Sequence, residues 1–432
     1  MSVQIALEPL KERCSFAPLA VLGYCLTRRE VLKPLWAPLQ LDLKVYDHTV
    51  IDKLQDVLVA ILAGCRSLAQ LNTRVRPEQV LATAWRRAAF AEQSTLSRNL
   101  EALQDAHIAQ LRAGQLALLQ QHSQLRHHDW TQLVILDMDP TSLVTSKQAE
   151  GSRKGWVSGQ RNTYCRHVIR FTLAGYHESL LSVAYPGDRH GYEYCKPAVQ
   201  QLLTHWPWTR EQRQQIIIRS DAEQGTDEIL SYLLWCNFQI LIKGYSGRRT
   251  QAWVKRTPAT AWQAEPNHAG RWAAPAPVQL RLGRQLAAHL LRWCDDKGQL
   301  NHATLLSTLP YSIFEQWRLY DGRGGMETEI RADKSGLNLC QRRKHSLTAQ
   351  EGWLLLTDVA HNLLAWLRPW MLVGSPFATF GPQRLVEDLL TIPGSLTFEA
   401  DRLQKVALLE THPYAAAMCL CLHKLLETFD LT

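Results

Sequence analysis

Tyr320, Arg323, Glu327 and Lys334 stand at offsets 0, 3, 7 and 14 along the chain. At about 100° per residue, these offsets lie within about 60° of one helical face, so the four side chains can converge on a single ligand. Glu327 supplies a carboxylate. Arg323, as a planar fork, and Lys334, as a point charge, are suited to holding phosphate oxygens on either side of it. Tyr320 adds a neutral donor. Gly322, Gly324 and Gly325 weaken the first turn, so Tyr320 and Arg323 belong on an approach loop, and convergence is firmest for Glu327 and Lys334.

Such a cluster needs a scaffold. Residues 1–125 read as a helical domain, because Leu54, Val57, Leu58, Ile61 and Leu62, and again Leu100, Leu103, Ile108 and Leu111, recur at helical spacing. Between them, Ser94 or Thr95 is suited to capping a short helix that carries Arg98 outward, as a helix-turn-helix DNA reader requires. From residue 130 the texture changes to short apolar runs at 133–136, 168–173, 180–184, 215–219 and 238–242. Helical stretches at 197–206 and about 227–236 separate the later runs. The fold class is therefore α/β. The order β-β-β-α-β-α-β is that of a ribonuclease-H-like mixed sheet, with a first part at 126–245 and a second at 310–375.

Residues 246–309 interrupt this core as a β-rich, basic insertion. Between 241 and 290, eight cations (Lys243, Arg248, Arg249, Lys255, Arg256, Arg271, Arg281, Arg284) face one acid, Glu265, a local 8 − 1 = +7. With Trp253, Trp262 and Trp272 among them, the segment has the makings of a surface that neutralises phosphates and stacks on bases. A capping box at Thr348 and Glu351 starts a long apolar helix expected to pack on the sheet. Residues 376–432 read as a strand pair and a helix, a candidate dimerisation region.

The 432 residues carry 48 Lys and Arg against 40 Asp and Glu, a net charge of +8, with 46% hydrophobic content. That excludes a disordered tail and tilts the partner toward a polyanion. Ten cysteines without C-x-x-C spacing, together with no apparent secretory leader, fit a reducing cytoplasm. No apolar run is long enough to span a bilayer, so no membrane partner is expected. The pairs Cys165/His167 and Cys419/Cys421 lack the spacing and partners of a zinc site.

The spacing Y-x2-R-x3-E-x6-K resembles the Tyr-Arg-Glu-Lys (YREK) signature of a group of bacterial insertion-sequence DDE transposases. That family carries one Asp at the end of the first core strand in a D-x-T context and another after the fourth strand. Asp139-Pro140-Thr141 and Ile218-Arg219-Ser220-Asp221 match in order. Asp137 and Asp139 fall on the same side of a strand and either could be the ligand; the D-x-T context favours Asp139.

The resemblance implies catalytic and metal-binding roles for Asp139, Asp221 and Glu327, which would share two Mg²⁺ (or Mn²⁺) ions, Asp139 bridging them. Tyr320, Arg323 and Lys334 would position DNA phosphates, as would Arg153, Lys154 and Arg161 near Trp156. The partner would be double-stranded DNA, both element ends and target. The working form would be a homodimer in a bacterial cytoplasm, associated with the nucleoid. The implied activity is metal-dependent cut-and-paste transposition. The alternatives are a non-catalytic or domesticated DNA-binding derivative and a sequence-nonspecific nuclease. Trp293 and Trp317 leave open whether a hairpin intermediate forms.

Overall fold

The computed structural model describes residues 13–157, 159–188, 190–266, 268–281, 283–324, 336–339 and 343–431. The chain is shared between two compact units, one formed by 1–118, 331–344 and 352–432, the other by 119–330 and 345–351.

The first unit opens with β1 (Arg13–Cys14) and the helix Ala17–Arg28, whose residues from Ala17 to Leu26 are all buried. A helix that is apolar on every side is a core helix. The helix Val50–Leu62 starts at a capping box: Thr49 Oγ1 accepts from Asp52 N, and Asp52 returns a bond to Thr49 N. The helix Gln93–Glu101 begins after Glu92, so Ser94 and Thr95 lie in its first turn and do not cap it. The acceptor expected of them comes from Asn72, whose Oδ1 takes the Gln93 N–H at 3.0 Å. Arg98 is exposed, as expected.

The second unit is built on one ten-stranded sheet. Its strands are β2 (Val134–Val144), β3 (Arg153–Val157), β4 (Gln160–Leu173), β5 (Glu178–Pro186), β6 (Ile216–Ser220), β7 (Gln239–Lys243), β8 (Gln263–Ala264), β9 (Arg271–Arg281), β10 (Arg284–Cys294) and β11 (Leu300–Ser307). The order runs β5-β4-β2-β6-β7-β11-β10-β9-β8, with β3 sharing the outer edge of β4. Strands β2, β6 and β7 are parallel and β4 is antiparallel to β2. The parallel steps are bridged by helices Gly191–His205 and Asp227–Trp235, as parallel neighbours require. Residues 263–307 extend the same sheet, because β11 pairs with β7 from Leu305↔Lys243 to Ser307↔Leu241.

The helix Ile313–Asp321 packs Trp317 and Tyr320 against Ile217, Leu241, Ala273, Leu291 and Leu305, one face of that sheet. Ser312 caps it in a reciprocal box with Glu315.

The helix Leu347–Leu367 starts two residues before the expected Thr348–Glu351 box would allow. Ser346 Oγ accepts from Ala349 N at 3.1 Å and Glu150 Oε2 accepts from Leu347 N at 2.8 Å, so two first-turn donors find side-chain acceptors outside the helix. The expectation that this helix packs on the sheet is also corrected: from Gly352 onward it belongs to the first unit, where Gly352 faces Leu103 and Ile108. That unit closes with β12 (Gly394–Glu399), β13 (Arg402–Leu408) and the helix Ala415–Thr428, β12 pairing with both β13 and β1. No helix among the described residues is long and apolar enough to cross a membrane.

Candidate active site

Strands β2 and β6 run in parallel register from Val134↔Ile216 to Met138↔Ser220. The next residue on each is an acid, Asp139 on β2 and Asp221 after β6. Adjacent strands lie about 4.8 Å apart, so the two acids are neighbours where the β2–β6 pairing ends; Asp221 follows the end of β6, whereas Asp139, expected at the end of its strand, lies in the middle of β2. There β2 leaves β6 and continues with β4 alone, pairing Asp139 with Arg170 and Val144 with Cys165. Ser220 Oγ donates to Met138 O at 2.6 Å, tying the two strands together there. Asp221 is extended, and its Oδ1 accepts from Glu223 N at 2.9 Å, capping a short turn.

Asp139 is not left as a bare carboxylate. Arg323 Nη2 pairs with its Oδ1, with the two side chains 8% and 14% exposed. Two hard carboxylates side by side, one already calling in a cation, fit a divalent metal ion in charge and ligand type. Among the described residues no group of three or more His, Cys, Asp or Glu side chains is gathered to hold a metal. The third expected acid, Glu327, lies outside the described residues, as does Lys334.

Arg323 follows the helix Ile313–Asp321, which ends at Gly322 as its C-cap. Gly322 keeps right-handed helical backbone angles and Arg323 and Gly324 are again helical, while the two further members of the expected face, Glu327 and Lys334, lie outside the described residues. Tyr320 turns into the core, 5% exposed, with the Lys243 ammonium 5.0 Å from its ring centre. Asp137, the other acid on this side of β2, is fully buried and gripped by Arg219: Nε reaches Oδ1 at 2.5 Å and Nη2 reaches Oδ2 at 2.6 Å. Arg219 Nη1 also donates to Leu319 O at 2.5 Å. Sequence reasoning passed over Arg219; its one signal was a cation two residues before Asp221, on the same side of the strand.

The basic insertion is less open than its composition implies. Arg249 forks onto Asp227 at 3.0 Å, and Arg284 bonds Phe238 O and Gln239. Arg271 pairs with Asp321 at 2.6 Å and lies over Trp317, which is buried. Trp262 and Trp272 flank Arg292, whose guanidinium carbon is 4.3 and 4.8 Å from their ring centres. Both rings are half-buried and each is in contact with that guanidinium. Arg248, Lys255 and Arg256 remain exposed on the helix Gly247–Arg256.

Beyond Asp139, the β3–β4 hairpin exposes Arg153, Lys154, Trp156 and Arg161, the Arg161 guanidinium 5.5 Å from the Trp156 ring centre. His167 is bonded within the sheet, Nδ1 to Ser142 Oγ at 2.9 Å and Nε2 to Gly187 O at 3.2 Å. Burial pushes its imidazole below the usual range, consistent with a structural, neutral ring.

A family model described as "Transposase DDE domain group 1" matches residues 38–429. Among solved structures, a similar chain is found in the cryo-EM structure of the piggyBac transposase synaptic complex with hairpin DNA. The identity is 11% and the TM-score 0.46, with 81% of this chain and 74% of that chain covered. No curated protein matches the sequence.

Proposed function

The chain belongs to the group 1 family of transposase DDE domains and is a DNA transposase, and from that premise we propose that it works by cut-and-paste on the terminal inverted repeats of its own element. The observation that carries this reading is the parallel register of β2 and β6, which makes Asp139 and Asp221 neighbours where that pairing ends. The strand order β5-β4-β2-β6-β7, with β4 alone reversed among the five, supports a ribonuclease-H-like core. In this reading Glu327 is the third acid, supplied by the segment after Arg323.

The three carboxylates hold the negative charge that a divalent pair, Mg²⁺ or Mn²⁺, needs for residence; when bound, such a pair activates the attacking oxygen and stabilises the leaving one. The chain's own groups do the positioning. Ser220 and the Asp221 cap hold the two strands still there. Arg323, poised beside Asp139, and Lys334 grip phosphate oxygens of the element end, with Tyr320 anchoring the helix Ile313–Asp321 in the core. The exposed cations of the β3–β4 hairpin and of the helix Gly247–Arg256 add phosphate contacts that depend on salt. The reaction served is hydrolysis at the element end to expose a 3′-hydroxyl, then attack of that hydroxyl on target DNA, in a homodimer with one element end per subunit.

The test is cleavage of a supercoiled plasmid bearing the element's ends, with Mg²⁺ or Mn²⁺. Wild type nicks and joins; Asp139→Asn, Asp221→Asn and Glu327→Ala each cut at least about a thousandfold more slowly while binding the ends normally. A wild-type protein that binds the ends but cuts under neither ion is a binding-only derivative. One that cuts plasmid lacking the ends equally well, and never joins strands, is a nuclease. Either result overturns the reading.

A further inference from the structure

Arg219 and Asp137 are direct register partners on β6 and β2, two residues before Asp221 and Asp139 and on the same sides of their strands. Both are buried, at 3% and 0% exposure. Three guanidinium nitrogens are used: two on the Asp137 carboxylate, the third on the carbonyl of Leu319. Leu319 O is among the last carbonyls of the helix Ile313–Asp321, and a cation there also meets the negative end of the helix dipole. One step later the chain passes over the same guanidinium at Gly322, where an added Cβ would stand 2.9 Å from Arg219 Nη1. The next residue is Arg323, paired with Asp139.

A buried ion pair adds little net stability over an apolar pair of similar size, because desolvation offsets the attraction. Its worth here lies in geometry. A planar fork fixes three directions at once, and an ammonium cannot reproduce them. We propose that Arg219 is a positioning residue for the reaction: clamped on Asp137, it fixes the last turn of the helix Ile313–Asp321 and so holds Arg323 at Asp139, beside Asp221. Asp137 is the clamp's anchor and takes no part as a metal ligand. This rests on the transposase reading of the same site.

The test uses the full chain carrying Arg219→Lys, which keeps the charge and loses the fork, and Gly322→Ala, which crowds the guanidinium. Backbone hydrogen exchange is read beside cleavage of end-bearing DNA. For both variants, exchange should rise at least tenfold in peptides covering 319–324 and stay unchanged in peptides covering 134–138 and 216–220. End binding should stay within about threefold, and the cleavage rate at saturating DNA should fall about a hundredfold, the scale of a 1 Å misplacement. Exchange rising equally in the strands would make Arg219 a core residue only, and wild-type cleavage by Arg219→Lys would remove its role in the reaction. Either overturns the proposal. If wild type itself does not cut, the transposase reading fails first, and the exchange pattern still decides whether the clamp orders the helix end.

Discussion

At the scale of single residues, the pairing of Asp139 with Arg323 has a measurable consequence. Removing one partner of a largely buried pair leaves a carboxylate whose charge must be met in another way. Arg323→Ala should therefore lower the stability of the metal-free protein by about 1–3 kcal/mol. It should also gain more melting temperature from added Mn²⁺ than wild type does, a difference that a thermal-shift series in Mn²⁺ reads directly. Lys344 gives a second expectation, on pH. Burial pulls its ammonium down from 10.5 to about 8, while its Nζ bonds Ser97 Oγ at 3.0 Å. The unfolded chain therefore holds the proton more tightly than the folded one between about pH 8 and 10.5, and stability rises with pH across that window by at most about 1.4 kcal/mol per unit. Lys344→Met should melt higher than wild type at pH 7, with the margin shrinking as pH climbs from 8 to 10.5.

Which residues could be read from sequence follows the same lines. That Asp139 and Asp221 are neighbours was legible because each follows closely on a recognisable apolar run, and the parallel register of β2 and β6 does the rest. Arg219 was not, because a cation beside an acid in sequence looks the same whether it is solvated or forked onto a carboxylate 82 residues away. The insertion shows the same limit: composition finds Trp262 and Trp272 but not that both rings stack on Arg292, a cation beyond the segment counted.

Among the elements, strands were easier to find than to measure. The run at 133–136 marks β2, but the strand continues through Pro140 to Val144, because its later edge is freed from β6 and proline's missing N–H is tolerated there. Tyr320 was expected on an approach loop and instead lies in the last turn of the helix Ile313–Asp321, with helical backbone resuming at Arg323 after one turn residue, Gly322. That helix depends on its start as well. Ser312→Ala removes the Oγ that accepts from Glu315 N and should cost about 1 kcal/mol in denaturant unfolding. Gly155 and Gly187 make a tighter demand: a Cβ on Gly155 would lie 2.0 Å from Gly187 O, and one on Gly187 would lie 2.0 Å from Cys165 O. Gly155→Ala must push the β3 strand off its neighbour. Limited proteolysis should then cut within 153–163 far sooner than in wild type, with the rest of the sheet protected.

At the scale of the whole molecule, neither compact unit is a continuous stretch of chain. The first gathers 1–118 with 331–344 and 352–432, while the second takes 119–330 and 345–351. Local periodicity identified the helices of 1–125 and the tail strands separately, but no local signal says that they share one core. The pairing of Arg13 with Ser395 joins residues from opposite ends of the sequence. A fragment of residues 119–351 should unfold cooperatively on its own, since it carries every strand of the ten-stranded sheet. A fragment of 1–118 should show helical circular dichroism without a cooperative melt, because β12 and β13 are missing from it.

Synthesis from the N-terminus therefore meets a delay built into the topology. The ribosome releases the helix Ala17–Arg28 early, and must add 394 − 28 = 366 residues after it to reach the first residue of β12, the partner of β1. Through that interval the nascent chain carries an incomplete first unit, so a message broken or terminated upstream of codon 394 yields no finished product of that unit. Only full-length polypeptides reach DNA with both units complete.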